Sequence, residues 1–205
     1  MKLRTLSRVI VGVLVVLVGG AIVLHERATT PSATPRPTPT LVAGSAFTQR
    51  APDFQLNDQN GAPVSLARLR GHPIVLTFVD ATCTTECPIT AQELDWTAQD
   101  LGDQAAGVIW LAITVNPNDT LADVRQFMTK NKVTVPLRML LGTQTQLAPI
   151  WKAYGIEVIP SPTDVTHTVA TYLIDARGNE RELLSQPIDP RATAQDLRTL
   201  LAEAR

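Results

Sequence analysis

Between residues 50 and 200 the spacing of apolar positions changes several times, and each change marks an element. Ile74-Val75-Leu76-Thr77-Phe78-Val79 is a short run rich in β-branched residues, entered through His72-Pro73 and closed by Asp80. That pattern predicts a buried strand. Gly107 to Val115 predicts a second one, and Leu137 to Leu140 a short third. Thr168 to Ile174 alternates, and Ala176-Arg177-Gly178-Asn179 turns it into Glu180 to Leu184, a closing hairpin. An earlier hairpin is predicted where Asp53-Phe54-Gln55-Leu56 and Pro63-Val64-Ser65-Leu66 flank a polar turn holding Asn60-Gly61. Leu66 to Gly71 reads as a short turn or helix, and Ile159 to Asp164 as a loop.

Helical spacing appears in four places. It runs from Pro88 to about Leu101, with Leu94 and Trp96 among the apolar positions, and from an Asp119 or Thr120 cap to about Lys130. It returns from Thr143 to Tyr154, and again after Asp189-Pro190, a cap followed by proline at the first helical position. Strands alternating with helices predict an α/β domain with a mostly parallel central sheet, its last two strands forming a hairpin on one side. No internal repeat interrupts this order.

The N-terminus differs in kind. Lys2, Arg4 and Arg8 precede an uninterrupted apolar run from Val9 to Leu24. Counted from Leu6, the segment approaches the ~20 residues that cross a bilayer. Basic residues before the span and none within it predict a cytoplasmic N-terminus and an exported remainder. A retained anchor is the favoured reading, with a cleaved signal peptide as its rival. Thr29 to Thr40 is rich in proline and threonine, an extended linker without a core. The expected division is therefore an anchor over 1–27, a linker over 28–46 and a globular domain over 47–205.

Net charge is −1, and no basic cluster with interleaved aromatics occurs, which argues against a nucleic-acid surface. The chemistry concentrates in Thr82-Cys83-Thr84-Thr85-Glu86-Cys87-Pro88, which holds both cysteines of the chain where a strand hands over to a helix. Ligands and reactions gather at carboxyl ends of strands in open α/β sheets, and a helix N-terminus favours a thiolate. The competing structural reading is a plain disulfide in an exported protein, although a loop this short gains little from closure. His72 and His25 read as surface and membrane-interface residues, Met128 and Met139 as core, and Glu86 as a solvated carboxylate at a helix start.

These stretches resemble the SCO/SenC copper-chaperone family, within the thioredoxin-like fold. The likeness rests on Cys83-x-x-x-Cys87-Pro88, on Ala51-Pro52-Asp53-Phe54-Gln55-Leu56, on Val115-Asn116-Pro117-Asn118-Asp119-Thr120, and on His167-Thr168 ahead of Thr171-Tyr172-Leu173-Ile174-Asp175. It covers about residues 50 to 200. It departs at Thr84-Thr85-Glu86, where the family commonly has Pro-Asp-Val, at Thr166, where it commonly has Asp, and at Asp80, where many members begin a Tyr-Thr stretch.

The resemblance implies a thioredoxin-like three-layer sandwich with a central mixed sheet. It implies copper, Cu(I) or Cu(II), held by Cys83, Cys87 and His167, with Cys83 and Cys87 also forming a redox-active disulfide. Two thiolates and an imidazole suit such an ion, and three protein ligands are one short of a structural zinc site. The implied role is a membrane-anchored extracytoplasmic metallochaperone, with subunit II of a haem–copper cytochrome oxidase as client. The alternative is a thiol–disulfide oxidoreductase that keeps client cysteines reduced. Val169 stands where membrane-bound thioredoxin-like reductases place a cis-proline, which favours the metal reading.

Overall fold

The computed structural model describes residues 40–161 and 165–204. The expected anchor and most of the expected linker lie outside them. Among the described residues no helix is long and apolar enough to cross a membrane.

Among the described residues, ten strands and four α-helices follow in chain order. The strands are β1 (Gly44–Ala46), β2 (Gln55–Asp58), β3 (Pro63–Ser65), β4 (Ile74–Val79), β5 (Ile109–Thr114), β6 (Arg138–Leu141), β7 (Val158–Pro160), β8 (Val165–His167), β9 (Thr171–Ile174) and β10 (Glu180–Leu184). The helices are α1 (Glu86–Leu101), α2 (Leu121–Lys130), α3 (Gln144–Ala153) and α4 (Pro190–Glu203). Short 3-10 turns occupy Leu66–Leu69 and Gly102–Gly107.

Eight strands make one sheet in the order β1-β10-β9-β4-β5-β6-β2-β3, while β7 and β8 pair only with each other. The sheet is mixed, and less parallel than the alternation of strands and helices predicts. Parallel pairing is confined to β4–β5 and β5–β6, because β9 returns antiparallel beside β4 and β2 closes antiparallel on β6.

All six residues of β4 are buried, as expected of a strand covered on both faces. Its period of two divides the core. Val75 and Val79 join a cluster that includes Leu94 of α1, Phe127 of α2 and Leu197 of α4. Ile74, Leu76 and Phe78 point the other way, towards Leu147 and Trp151 of α3 and Tyr154 and Tyr172. Met139 is wholly buried, as a core residue should be. α2 starts from a reciprocal box in which Thr120 and Asp123 bond each other's backbone N–H. Asp189 caps α4 through the N–H groups of Arg191 and Ala192.

Three features depart from the sequence pattern. Residues 44–46 pair with β10 as an edge strand. Val158–Pro160 and Val165–His167 form a hairpin, so His167 ends a strand where a loop is expected. Trp96, counted among the apolar positions of its helix, is 47% exposed.

Candidate metal and thiol centre

β4 ends at Val79, and the turn Asp80-Ala81-Thr82 carries the chain to Cys83. The Cys83 N–H donates to the Asp80 carbonyl at 3.2 Å. Thr85 occupies the N-cap position of α1, which places Cys87 in the first helical turn. The backbone N–H groups that a helix start leaves without partners therefore surround the sulfurs. Both cysteines are free thiols in this structure, Cys83 half-buried and Cys87 3% exposed.

Their environments push the two thiols apart. The Cys83 pKa is brought down to about 5, first by the Cys87 thiol donating to it, then by the N–H groups of Cys87 and Thr85 and the Thr85 hydroxyl, against the cost of burial. Cys87 moves up instead, because its proton is held against the Cys83 sulfur and because it is buried. One accessible thiolate faces one inner thiol, the polarity of a nucleophilic cysteine and its partner.

The β7–β8 hairpin brings His167 to this point from 80 positions further along the chain. Its Nε2 lies 3.9 Å from the Cys87 Sγ. Its Nδ1 lies 2.9 Å from the Thr168 carbonyl oxygen, which accepts only from N–H. Nδ1 therefore carries the proton and Nε2 keeps its lone pair for the sulfur side. A backbone carbonyl that accepts from the far ring nitrogen orients metal-binding imidazoles in this way. Among the described residues no three His, Cys, Asp or Glu side chains are closed to metal-holding distances. The arrangement is two linked pairs, Cys83–Cys87 and Cys87–His167, that share Cys87.

A groove of about 550 Å³ opens beside the centre, between Thr82, the Asn116-Pro117-Asn118 turn, α3 and the hairpin. A smaller recess of about 140 Å³ reaches Cys83 itself from the α2 side. The other candidates stay apart. His72 is exposed, with Nδ1 3.4 Å from the Gly107 carbonyl, and Glu86 is exposed at the start of α1. Asp119, expected from the sequence only as a possible helix cap, turns its carboxylate inward beneath the cysteine turn and accepts from the Ala81 N–H. The available signal was the carboxylate at Asp80, at the very end of a buried strand.

A protein-family model described as SCO1/SenC matches residues 43–202. Bradyrhizobium japonicum ScoI, solved with copper bound, is 28% identical, with a TM-score of 0.64 over 73% of this chain and 98% of its own. Yeast Sco1 superposes with a TM-score of 0.66 at 20% identity, over 75% of this chain and 98% of its own, a likeness of fold alone. Both agree with the expected thioredoxin-like α/β architecture. Among curated proteins, a chloroplastic peroxiredoxin Q from Oryza sativa is 27% identical over 175 residues, covering 78% of this chain and 74% of its own length.

Proposed function

The chain belongs to the SCO1/SenC family, and from that premise we propose that it is a copper metallochaperone that carries the ion on Cys83, Cys87 and His167. The observation that carries this reading is the approach of His167 Nε2 to Cys87 Sγ, 3.9 Å apart across 80 residues of sequence. Nothing local to either residue requires that meeting. Soft thiolates match Cu(I), and an imidazole with its lone pair free extends the set to Cu(II). A small inward shift of the β7–β8 hairpin would bring His167 onto an ion held by the two sulfurs. Three protein ligands leave the ion open to an incoming acceptor, which suits transfer.

The finer parts of the reading belong to the same proposal. Residues 1–27 anchor the protein, residues 28–46 hold the domain off the membrane, and the domain works on the extracytoplasmic side. The basic residues Lys2, Arg4 and Arg8 before the Val9–Leu24 run support that orientation. Mass spectrometry of the mature N-terminus decides between anchor and cleaved leader. The client is the dinuclear copper centre in subunit II of a haem–copper oxidase, an acceptor whose chemistry needs soft-ligand delivery. Copper titration of the reduced full-length protein tests the core claim. One equivalent per chain, lost when Cys83 or Cys87 becomes serine, is expected; unchanged affinity in both single variants would sink it.

The placement of two free cysteines, one half-buried and one buried, at the start of one helix favours a second activity at the same atoms. A low-pKa, half-buried Cys83 beside a buried, protonated Cys87 is built for thiol–disulfide exchange. In that role the pair reduces a client disulfide and closes its own. His167→Ala separates the two activities: loss of the Cu(II) spectrum with retained reductase rate assigns His167 to the metal.

A further inference from the structure

The turn before Cys83 rests on two carboxyl groups that neither copper binding nor thiol exchange uses directly. Asp80 is 1% exposed. Its Oδ1 accepts from the Thr82 N–H and the Thr82 hydroxyl, both at 2.8 Å, and from Asn116 Nδ2 at 3.4 Å. Asp119 approaches from the turn after β5. Its Oδ2 accepts from the Ala81 N–H at 3.0 Å and from the Thr114 hydroxyl. Two carboxyl groups thus take up both backbone N–H groups of the dipeptide that precedes Cys83.

Each carboxyl has one oxygen left over. Asp80 Oδ2 and Asp119 Oδ1 are both buried and bond to no other group, while the two side chains lie within hydrogen-bonding reach of each other. Burial first, and the neighbouring Asp80 charge after it, raise the Asp119 pKa to about 6, as expected of two carboxyl groups gathered at one buried turn.

We propose that Asp80 and Asp119 together position Cys83, fixing the Ala81-Thr82 turn through its two backbone N–H groups so that the Cys83 sulfur stands in front of Cys87 and the His167 hairpin. Asp119 touches no ligand atom and works through Asp80 and Ala81. Outer partners of metal ligands typically carry effects of about 10–100-fold. This role rests on the proposed use of Cys83 as a ligand, but its first test needs no copper.

That test is the equilibrium of the Cys83–Cys87 pair in the full-length protein against a glutathione buffer, followed by the Cu(II)–thiolate absorption of the loaded protein. Asp119→Ala frees the turn, so closing the disulfide must now order it. The equilibrium is expected to move about tenfold towards the dithiol, about 30 mV for a two-electron couple, and the absorption bands are expected to shift. Asp119→Asn keeps an acceptor for the Ala81 N–H and supplies an amide N–H to Asp80, so both readouts should stay within twofold of wild type. Should the alanine variant fail to fold, Thr114→Val removes the hydroxyl donor to Asp119, together with the acceptor of the Asn116 N–H, and should give about a threefold move. An unaltered equilibrium and spectrum in Asp119→Ala, or in Thr114→Val where it stands in, would overturn the proposal. So would an asparagine variant as perturbed as the alanine one. A normal response in the disulfide equilibrium with no copper binding by the wild type would uphold the positioning pair and overturn the metallochaperone reading instead.

Discussion

The sulfurs and the imidazole approach one point from supports of different strength. Cys83 and Cys87 hang from β4, which has β5 on one side and β9 on the other and six buried residues of six. Cys87 itself belongs to the core cluster with Val79, Leu94 and Leu173. His167 ends one arm of a two-stranded hairpin, three residues to each strand, that joins no other sheet. Ile159 on the opposite arm is 54% exposed, and among the described residues of the hairpin Val158 and Val165, both only partly buried, pack against the core. A lone two-stranded hairpin is marginal in water. Opening it exposes little apolar surface, whereas displacing the cysteines means unfolding the central sheet. The sulfurs are therefore held by global stability and the imidazole by a local equilibrium. A carrier that must both grip and release its ion gains from that division.

The largest effect should follow from removing a sulfur. Cys87→Ser is expected to weaken Cu(I) binding by ~10³-fold, about 4 kcal/mol, measured by competition with a Cu(I) chelator. Cys83→Ser should do the same. His167→Ala comes next and should split by oxidation state. Cu(II) affinity is expected to fall about a hundredfold with a changed absorption spectrum, and Cu(I) affinity about tenfold, because two thiolates already satisfy the softer ion. Equal losses for both states would mean that the hairpin is as firmly held as β4.

A smaller change loosens the hairpin without touching a ligand. The Thr168 N–H donates to the Glu157 carbonyl, and the Glu157 N–H donates to the Thr168 hydroxyl at 3.1 Å. Thr168→Val removes the second bond, about 1 kcal/mol of local hold. Cu(II) affinity should drop about fivefold, Cu(I) affinity should not move, and amides of Val165 to His167 should exchange faster. Unchanged exchange there would show that other contacts hold the arm.

The same contrast explains what could be read from the sequence. β4, the cysteine turn and α1 were legible because local pattern and tertiary role agree: a β-branched run, a polar turn, then helical spacing. The hairpin was not. Ile159-Pro160-Ser161 looks like a loop because proline cannot donate to a ladder, yet Pro160 is tolerated in an isolated pair with a free edge. His167 carries no spacing signal of its own; only the family pattern pointed to it. β1 was hidden for another reason. Gly44-Ser45-Ala46 has weak strand propensity and linker-like composition, and it is held by carboxylates from β10 and α4 that no local window contains. Gly44 also approaches β10 so closely that a Cβ there would lie 2.1 Å from the Leu183 carbonyl oxygen. Asp119 was weighed as a helix cap, but Thr120 makes the cap and leaves Asp119 to turn inward.

The smallest expected effect on copper comes from a change in the frame that should alter its stability strongly. Glu182 of β10 is wholly buried. Its Oε1 accepts from the Gly44 N–H at 2.6 Å, and Asp196 of α4 accepts from the Val42 and Ala43 N–H groups at 2.9 and 2.7 Å. Glu182 Oε2 is buried without a partner. Burial, reinforced by the Asp196 charge and opposed by the Gly44 N–H, raises the Glu182 pKa from 4.5 to about 7. The folded state therefore binds this proton more tightly than the unfolded chain. Its contribution is complete below pH ~4.5 and is lost as pH rises through about 7. Glu182→Gln does not titrate, so its stability should fall less than that of wild type across this window. At pH 8 the variant should be the more stable by about 2 kcal/mol, read from urea unfolding at pH 4.5, 6 and 8. The depressed Cys83 thiol titrates in both proteins and cancels in the difference. Exchange of β4 amides should slow at pH 8, while β8 amides and both copper affinities stay within twofold of wild type. A copper affinity that follows the stability change would mean that frame and hairpin open together, and the division of labour between sulfurs and imidazole would have to be abandoned.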